Sequence, residues 1–301
     1  MTYKHKACGL TLCLPFPCPA LPEAREDEAT DVTLIEGIVP RTLEGAVAGT
    51  TGWEAAPGRF LLRAGRRAGR FLVQDGCRVV FHRSPAAEQT FVARLVADTV
   101  LVALLRQRGH LVLHAVAATG FGGAVAVAGE SGAGKSTTLR ALLDRGFQML
   151  ADDVVAIRLS ANGRPEVLPG VARLYLTSES ARRLGVSLEG LERDPFRRMK
   201  AALPTAPSMA PAPAPLNALF CLRPHAGARL TLERARGAAA FELLQSSVYG
   251  PMLASEHPAL FPLAATIGGQ TAIFRVKRPL KRWTAPELAD AILAEQQELR
   301  A

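Results

Sequence analysis

Eight consecutive residues, Gly129-Glu130-Ser131-Gly132-Ala133-Gly134-Lys135-Ser136, set three glycines, a lysine and a hydroxyl at the spacing of a phosphate-binding loop, with Thr137 next in line. The glycines let the backbone turn its N–H groups inward around phosphate oxygens, and a helix opening at the loop adds the favourable end of its dipole. Lys135 is then placed to reach the β- and γ-phosphates of a nucleoside triphosphate, and Ser136 to ligate Mg²⁺. Two adjacent carboxylates, Asp152 and Asp153, follow seventeen and eighteen residues past Lys135. Phosphoryl transfer uses acids of this kind, one on the metal and one to take the proton of the attacking hydroxyl. Neighbouring strand residues point to opposite faces, so the two need not share a task. The plainer readings are a Gly-rich turn without a ligand and an acidic turn at a strand end; the two features together argue for chemistry.

The flanking segments supply what such a loop needs. Ala124 to Ala128 is an apolar Ala/Val run that reads as a buried strand, and Thr137 to Arg145 reads as a helix with Leu139, Leu142 and Leu143 on one face. Gly146 closes that helix, and Phe147 to Ala151 is a short apolar strand running into Asp152. A strand directly after the loop helix is expected near the loop strand, with its C-terminal end opening onto the same crevice.

The run from Gly129 to Asp153, with Leu111-Val112-Leu113-His114-Ala115 upstream, resembles the catalytic core of the HPr kinase/phosphorylase family, bacterial serine kinases with a phosphate-binding loop. The similarity is strongest from His110 to Val154. It implies an α/β fold with a P-loop kinase core of the HPr kinase type. It also implies ATP held by Gly129 through Thr137, Mg²⁺ served by Ser136 and Asp153, Lys135 on the phosphates, Asp152 as the base and His114 near the transferred group. The acceptor would be a serine of a peptide or small protein, the enzyme cytoplasmic, and the assembly a homo-oligomer. The family's glutamate-bearing metal segment and its Gly-rich segment linked to dephosphorylation are not found; Pro169 to Leu176 stands in their place, which argues against phosphorylase activity. Short fragments, among them Val39-Pro40, Gly58 to Leu61 and Val73 to Gly76, are similar to HPr-kinase-like enzymes of ribosomal peptide gene clusters. In lasso peptide clusters some of these phosphorylate a precursor peptide, so that resemblance implies such a peptide as acceptor.

Composition sets the outer bounds. The 301 residues, 49% hydrophobic and 21% charged, are enough for one large core or two moderate ones. An excess of 36 Lys plus Arg over 27 Asp plus Glu gives a net charge of +9, which suits polyphosphate or an acidic acceptor. Zinc-finger spacings, aromatic RNA-binding signatures and long basic runs are absent from the sequence, so nucleic acid is not expected. The arginine cluster Arg59, Arg63, Arg66, Arg67 and Arg70 reads as a solvated hairpin or as a docking surface for an acidic partner. Five cysteines without a CxxC or a His/Cys metal spacing read as reduced cytosolic thiols. No apolar run approaches about 18 residues, so no membrane span is expected.

Two domains are expected. Residues 1–108 read as a small β-rich N-terminal domain with a connecting helix from Ala86 to Arg108, and 109–301 as the kinase domain. Within the latter, 201–215 carries five prolines among alanines and reads as a mobile loop. Thr284 and Glu287 have the spacing of a capping box for a last helix. A small-molecule kinase and a non-catalytic nucleotide sensor are the competing functions. A transporter ATPase is prompted by Ile267-Gly268-Gly269-Gln270, but that fragment follows the two acids rather than preceding them.

Overall fold

The computed structural model describes residues 1–171, 173–197, 199–205, 208–250 and 260–300. The chain divides into two compact units, one built on Met1–Leu111 and the other on the strands and helices that follow Val112.

The first unit is an eight-stranded sheet and a helical run. β1 (Tyr3–Ala7) and β2 (Leu10–Leu14) form a hairpin whose turn places Cys8 at φ 50 and Gly9 at φ 76. β3 (Val32–Glu36) pairs parallel with β2 and with the last strand of a meander: β4 (Ala48–Gly49), β5 (Trp53–Ala56), β6 (Arg59–Arg63), β7 (Gly69–Gln74) and β8 (Arg78–Arg83). Apolar residues alternate along β7 and β8 and bury one face; Phe71 and Phe81 stack at 4.4 Å, and Phe16 meets Phe81 edge-on at 6.2 Å. α1 (Gln89–Leu95), a π-helical turn (Val96–Val100) and α2 (Leu101–Gln107) follow as one run, with buried Arg94 and Asp98 paired at 3.3 Å. The β1–β2 hairpin was not legible, because the prolines that follow it suggest an irregular start. Four arginines of the sequence cluster have local partners: Arg59 donates to Glu44 O, Arg70 to Val39 O, Arg63 pairs with Glu54, and Arg67 with Glu88.

The second unit is a wound α/β sheet. β9 (Leu111–Gly120) turns at Phe121 and Gly122 into β10 (Gly123–Gly129), which pairs antiparallel with β9 and parallel with β16 (Ala214–His225). β16 in turn pairs parallel with β18 (Ala272–Pro279), and β17 (Thr231–Ala235) edges the sheet. β11 (Gln148–Ala151) pairs antiparallel with β9. β9 therefore intervenes between β10 and β11, and two antiparallel steps leave β11 running parallel to β10. The expected common crevice at their C-terminal ends results, though the two strands are not neighbours. β12 (Val154–Leu159) and β13 (Pro165–Val167) complete the sheet.

α3 (Lys135–Leu143) and α7 (Ala285–Glu298) cover one face. The core there is Val125 and Val127 of β10, Ala218, Phe220 and Leu222 of β16, Phe274 and Val276 of β18, and Leu139, Leu288 and Ile292 from the helices. Period-two alternation puts Cys221 on the opposite face, where its thiol lies 3.8 Å from Leu243 O of α5 (Gly237–Gln245). α4 (Ser178–Arg183) and α6 (Leu260–Gln270) complete the helices of the described residues, the second of which contains the Gly268-Gly269-Gln270 fragment.

Two expectations are corrected. The proline-rich 201–215 stretch is not loop throughout: β15 (Lys200–Pro204) pairs antiparallel with β14 (Arg173–Thr177), and β16 begins at Ala214, with Pro215 opposite Glu166. Pro204 and Pro215 sit at the ends of these ladders, where a missing N–H costs least; Pro207 lies outside the described residues. The capping box at α7 is not made. Thr284 is its N-cap residue, but its side chain accepts no cap hydrogen bond and its Oγ1 is buried without a partner.

Candidate active site

The loop sits where the parallel strands end. β10 stops at Gly129, α3 starts at Lys135, and the residues between form the turn. Gly132 and Gly134 take φ of 84 and 102, a region that L side chains rarely enter. A Cβ on Gly129 would stand 3.0 Å from Leu222 Cβ and 3.1 Å from Ala133 Cβ, so the first glycine is required by close packing of loop against β16. Ala133 is buried, and its N–H donates to Glu130 O at 3.1 Å. Lys135 is curled into the loop, its Nζ donating to Gly129 O at 2.8 Å and Glu130 O at 3.3 Å. Burial lowers the pKa of this ammonium, while Asp153 and then Asp152 act in the opposite sense. Thr137 lines the cavity in front of the loop and donates to Ser180 Oγ of α4 at 3.1 Å.

The two acids differ in surroundings. Asp152 is buried, accepts from Ser136 Oγ at 3.1 Å through Oδ1, and accepts from Tyr175 N of β14 at 2.9 Å through Oδ2. Burial first, and the neighbouring Asp153 charge second, raise its pKa to about 7. Asp153 has φ 66, which turns its side chain off the line of the strand, and its Oδ1 is 3.7 Å from His114 Nε2. His114 comes from β9, the strand beside the loop strand, and its ring packs 5.4 Å from that of Tyr249. Burial and the Lys135 charge push the imidazole down to about 4, against the pull of Asp153. It is therefore neutral near pH 7, and its contact with Asp153 is not an ion pair there.

A cavity of about 310 Å³ opens in front of the loop, lined by Ser131, Lys135, Ser136 and Asp153 at one end and by Ser180 and Trp283 among others. Arg197, Lys200 and Arg278 also line it. A second cavity, of about 410 Å³, is bounded by His114, Gly129, Glu130, Arg223 and Tyr249. The structure thus gathers His114, Lys135, Ser136, Asp152 and Asp153 at one sheet edge, with Glu130 facing one cavity and Ser131 the other. Tyr175, Arg197, Lys200 and Arg278 were missed: they belong to no motif, and only the tertiary fold returns them to the loop.

No family model matches the chain. A 107-residue stretch, 34% of the chain, is 30% identical to the HPr kinase/phosphorylase of Treponema pallidum subsp. pallidum and covers 33% of it. The enzyme of Treponema pallidum (strain Nichols) matches with the same figures. This chain is similar to HPr kinase/phosphorylase. It spans about a third of the length of the curated relatives it matches. Among solved structures, the Hpr(Ser) kinase/phosphatase from Coxiella burnetii aligns with 63% of this chain and 99% of its own, at 12% identity and a TM-score of 0.34. Among the described residues no helix is long and apolar enough to cross a membrane.

Proposed function

We propose that this chain is an ATP-dependent kinase that transfers the γ-phosphoryl group to a serine hydroxyl of a peptide or small protein, a ribosomal precursor peptide of the lasso type being the specific candidate. The observation that carries the reading is that Lys135, Ser136 and Asp153 line one cavity, with Asp152 hydrogen-bonded to Ser136 and His114 in contact with Asp153 behind them. The similarity to HPr kinase/phosphorylase supports it, and the chemistry of the residues supports it independently.

Lys135 would leave the Gly129 and Glu130 carbonyls for the β- and γ-phosphates, while the loop N–H groups hold the remaining oxygens. Mg²⁺ fits the oxygen donors present, since it is held by one or two protein oxygens together with phosphates and water. Ser136 Oγ and Asp152 Oδ1 are the pair that would hold it, and a dication there would offset the buried carboxylate. When bound, it neutralises charge on the phosphates.

This geometry favours exchanging the roles that the resemblance implies for the two acids. A base must meet the acceptor hydroxyl, and of the two adjacent acids Asp153 is the one that lines the cavity. Asp153 would accept that proton, with neutral His114 orienting it. Asp152, anchored through Oδ2 by the Tyr175 backbone, would hold Mg²⁺ together with Ser136. The acceptor would enter from the second cavity, past His114 and Tyr249.

The test is mass spectrometry of candidate serine peptides after incubation with Mg-ATP, using wild type and Lys135→Ala. Wild type should add one phosphate to a serine, and the variant should add none. Phosphorylation by folded Lys135→Ala within about threefold of wild type would remove the phosphate-loop assignment. Transfer to a small metabolite instead of any peptide would favour the small-molecule kinase.

A further inference from the structure

We propose that Arg278, a residue of β18 outside the loop motif, is a second phosphate-binding cation of this site; the proposal rests on the nucleotide reading above. Its position follows from the sheet. β18 runs parallel to β16, with Arg278 opposite Pro224, and β16 runs parallel to β10. The end of β18 therefore arrives at the edge where β10 enters the loop. The side chain then reaches across Gly134: its Nε, Cζ and Cδ lie 3.6, 3.8 and 3.9 Å from where a side chain on that glycine would begin. It also lines the cavity that Lys135, Ser136 and Asp153 line.

What sets this arginine apart from the others lining the cavity is a buried guanidinium nitrogen without a partner. Two other arginines lining the cavity have partners, Arg183 with Glu179 at 2.8 Å and Arg282 with Glu287, while Arg197 lines it without a carboxylate pair among the described residues. The Nε of Arg278 is buried with no hydrogen-bond partner, and no described carboxylate pairs with its guanidinium. Burial is the one cause acting on its protonation, and it acts against the charge. Holding a half-buried cation with an unpartnered Nε and no counter-ion is unfavourable, so a site that keeps one suits an anion that arrives from outside. A guanidinium presents paired donors that match phosphate oxygens, and a loop that also offers Lys135 and backbone N–H groups selects a polyphosphate.

The experiment uses the full chain and two probes, Mg-ATP and Mg-tripolyphosphate, titrated calorimetrically into wild type, Arg278→Gln, Arg278→Lys and Lys135→Ala, with a melting curve for each unliganded protein. Loss of a charged hydrogen-bonding pair predicts that Arg278→Gln weakens both probes by about 10- to 100-fold. Arg278→Lys should recover part of that loss. The unliganded Arg278→Gln protein should melt at or above wild type, because the substitution removes a half-buried charge that has no counter-ion. Unchanged affinity for both probes, weakening of ATP alone, or a melting temperature several degrees below wild type would each overturn the proposal. If Lys135→Ala loses affinity and Arg278→Gln does not, the nucleotide reading stands and Arg278 has no part in it. If wild type binds neither probe, the nucleotide reading and this proposal fall together.

Discussion

Asp152 and Asp153 are adjacent in the chain but occupy opposite kinds of environment, and the difference can be read out. Asp152 is tied to Ser136 and to the Tyr175 backbone in a buried setting, whereas Asp153 lines the cavity within reach of His114. Asp153→Asn should therefore bind Mg-ATP with nearly the wild-type dissociation constant and lose about 10²- to 10⁴-fold in turnover, the range a positioned base contributes. Asp152→Asn should weaken apparent Mg²⁺ affinity as well as rate. Titrating Mg²⁺ in a peptide phosphorylation assay, beside calorimetry of Mg-ATP, decides the matter. If the two patterns are reversed, Asp152 is the base, as the resemblance alone implies. The sequence brought both acids, Lys135 and Ser136 to notice because they lie close together in the chain. It held no sign of which acid faces the cavity, since that depends on the left-handed turn at Asp153 and on β14 closing over Asp152.

At the scale of the element, the site is only as rigid as the strands behind it. Phe220 of β16 is fully buried and stacks on Phe274 of β18 at 4.8 Å with 10° between the rings. Phe220→Ala leaves a cavity beneath the loop strand and should cost about 3–5 kcal/mol, the range for truncating a buried aromatic. Denaturant unfolding monitored by circular dichroism measures this, and a loss under about 1 kcal/mol would mean that the helices collapse into the gap. Elements with strong periodicity were legible: the strand before the loop and α3 lie where the apolar spacing places them. The β14–β15 ribbon was not, because Ala and Pro carry little strand propensity and the pairing is made by chain reversal rather than by local preference. Thr284 shows the converse, a capping spacing whose side-chain bond the tertiary packing overrides.

For the whole molecule, the division into two compact units predicts how ligand binding is felt. Each unit has its own core, Phe16, Phe71 and Phe81 in the first and the Phe220–Phe274 layer in the second. Differential scanning calorimetry should resolve two transitions, and Mg-ATP should raise only that of the unit carrying the loop. At a free concentration of 100 times the dissociation constant the stabilisation is about 2.7 kcal/mol. A single transition that moves as one would show that the units unfold together. The sheet of the second unit also orders its parts in time. β10 is hydrogen-bonded on both sides, to β9 and β16, and β16 on both sides as well, to β10 and β18. Their amides should therefore be the last in this unit to exchange with deuterated solvent, while those of the two-stranded β14–β15 ribbon trade early. The loop would then hang from the slowest-exchanging strand, and the Tyr175 amide that holds Asp152 would belong to a faster one.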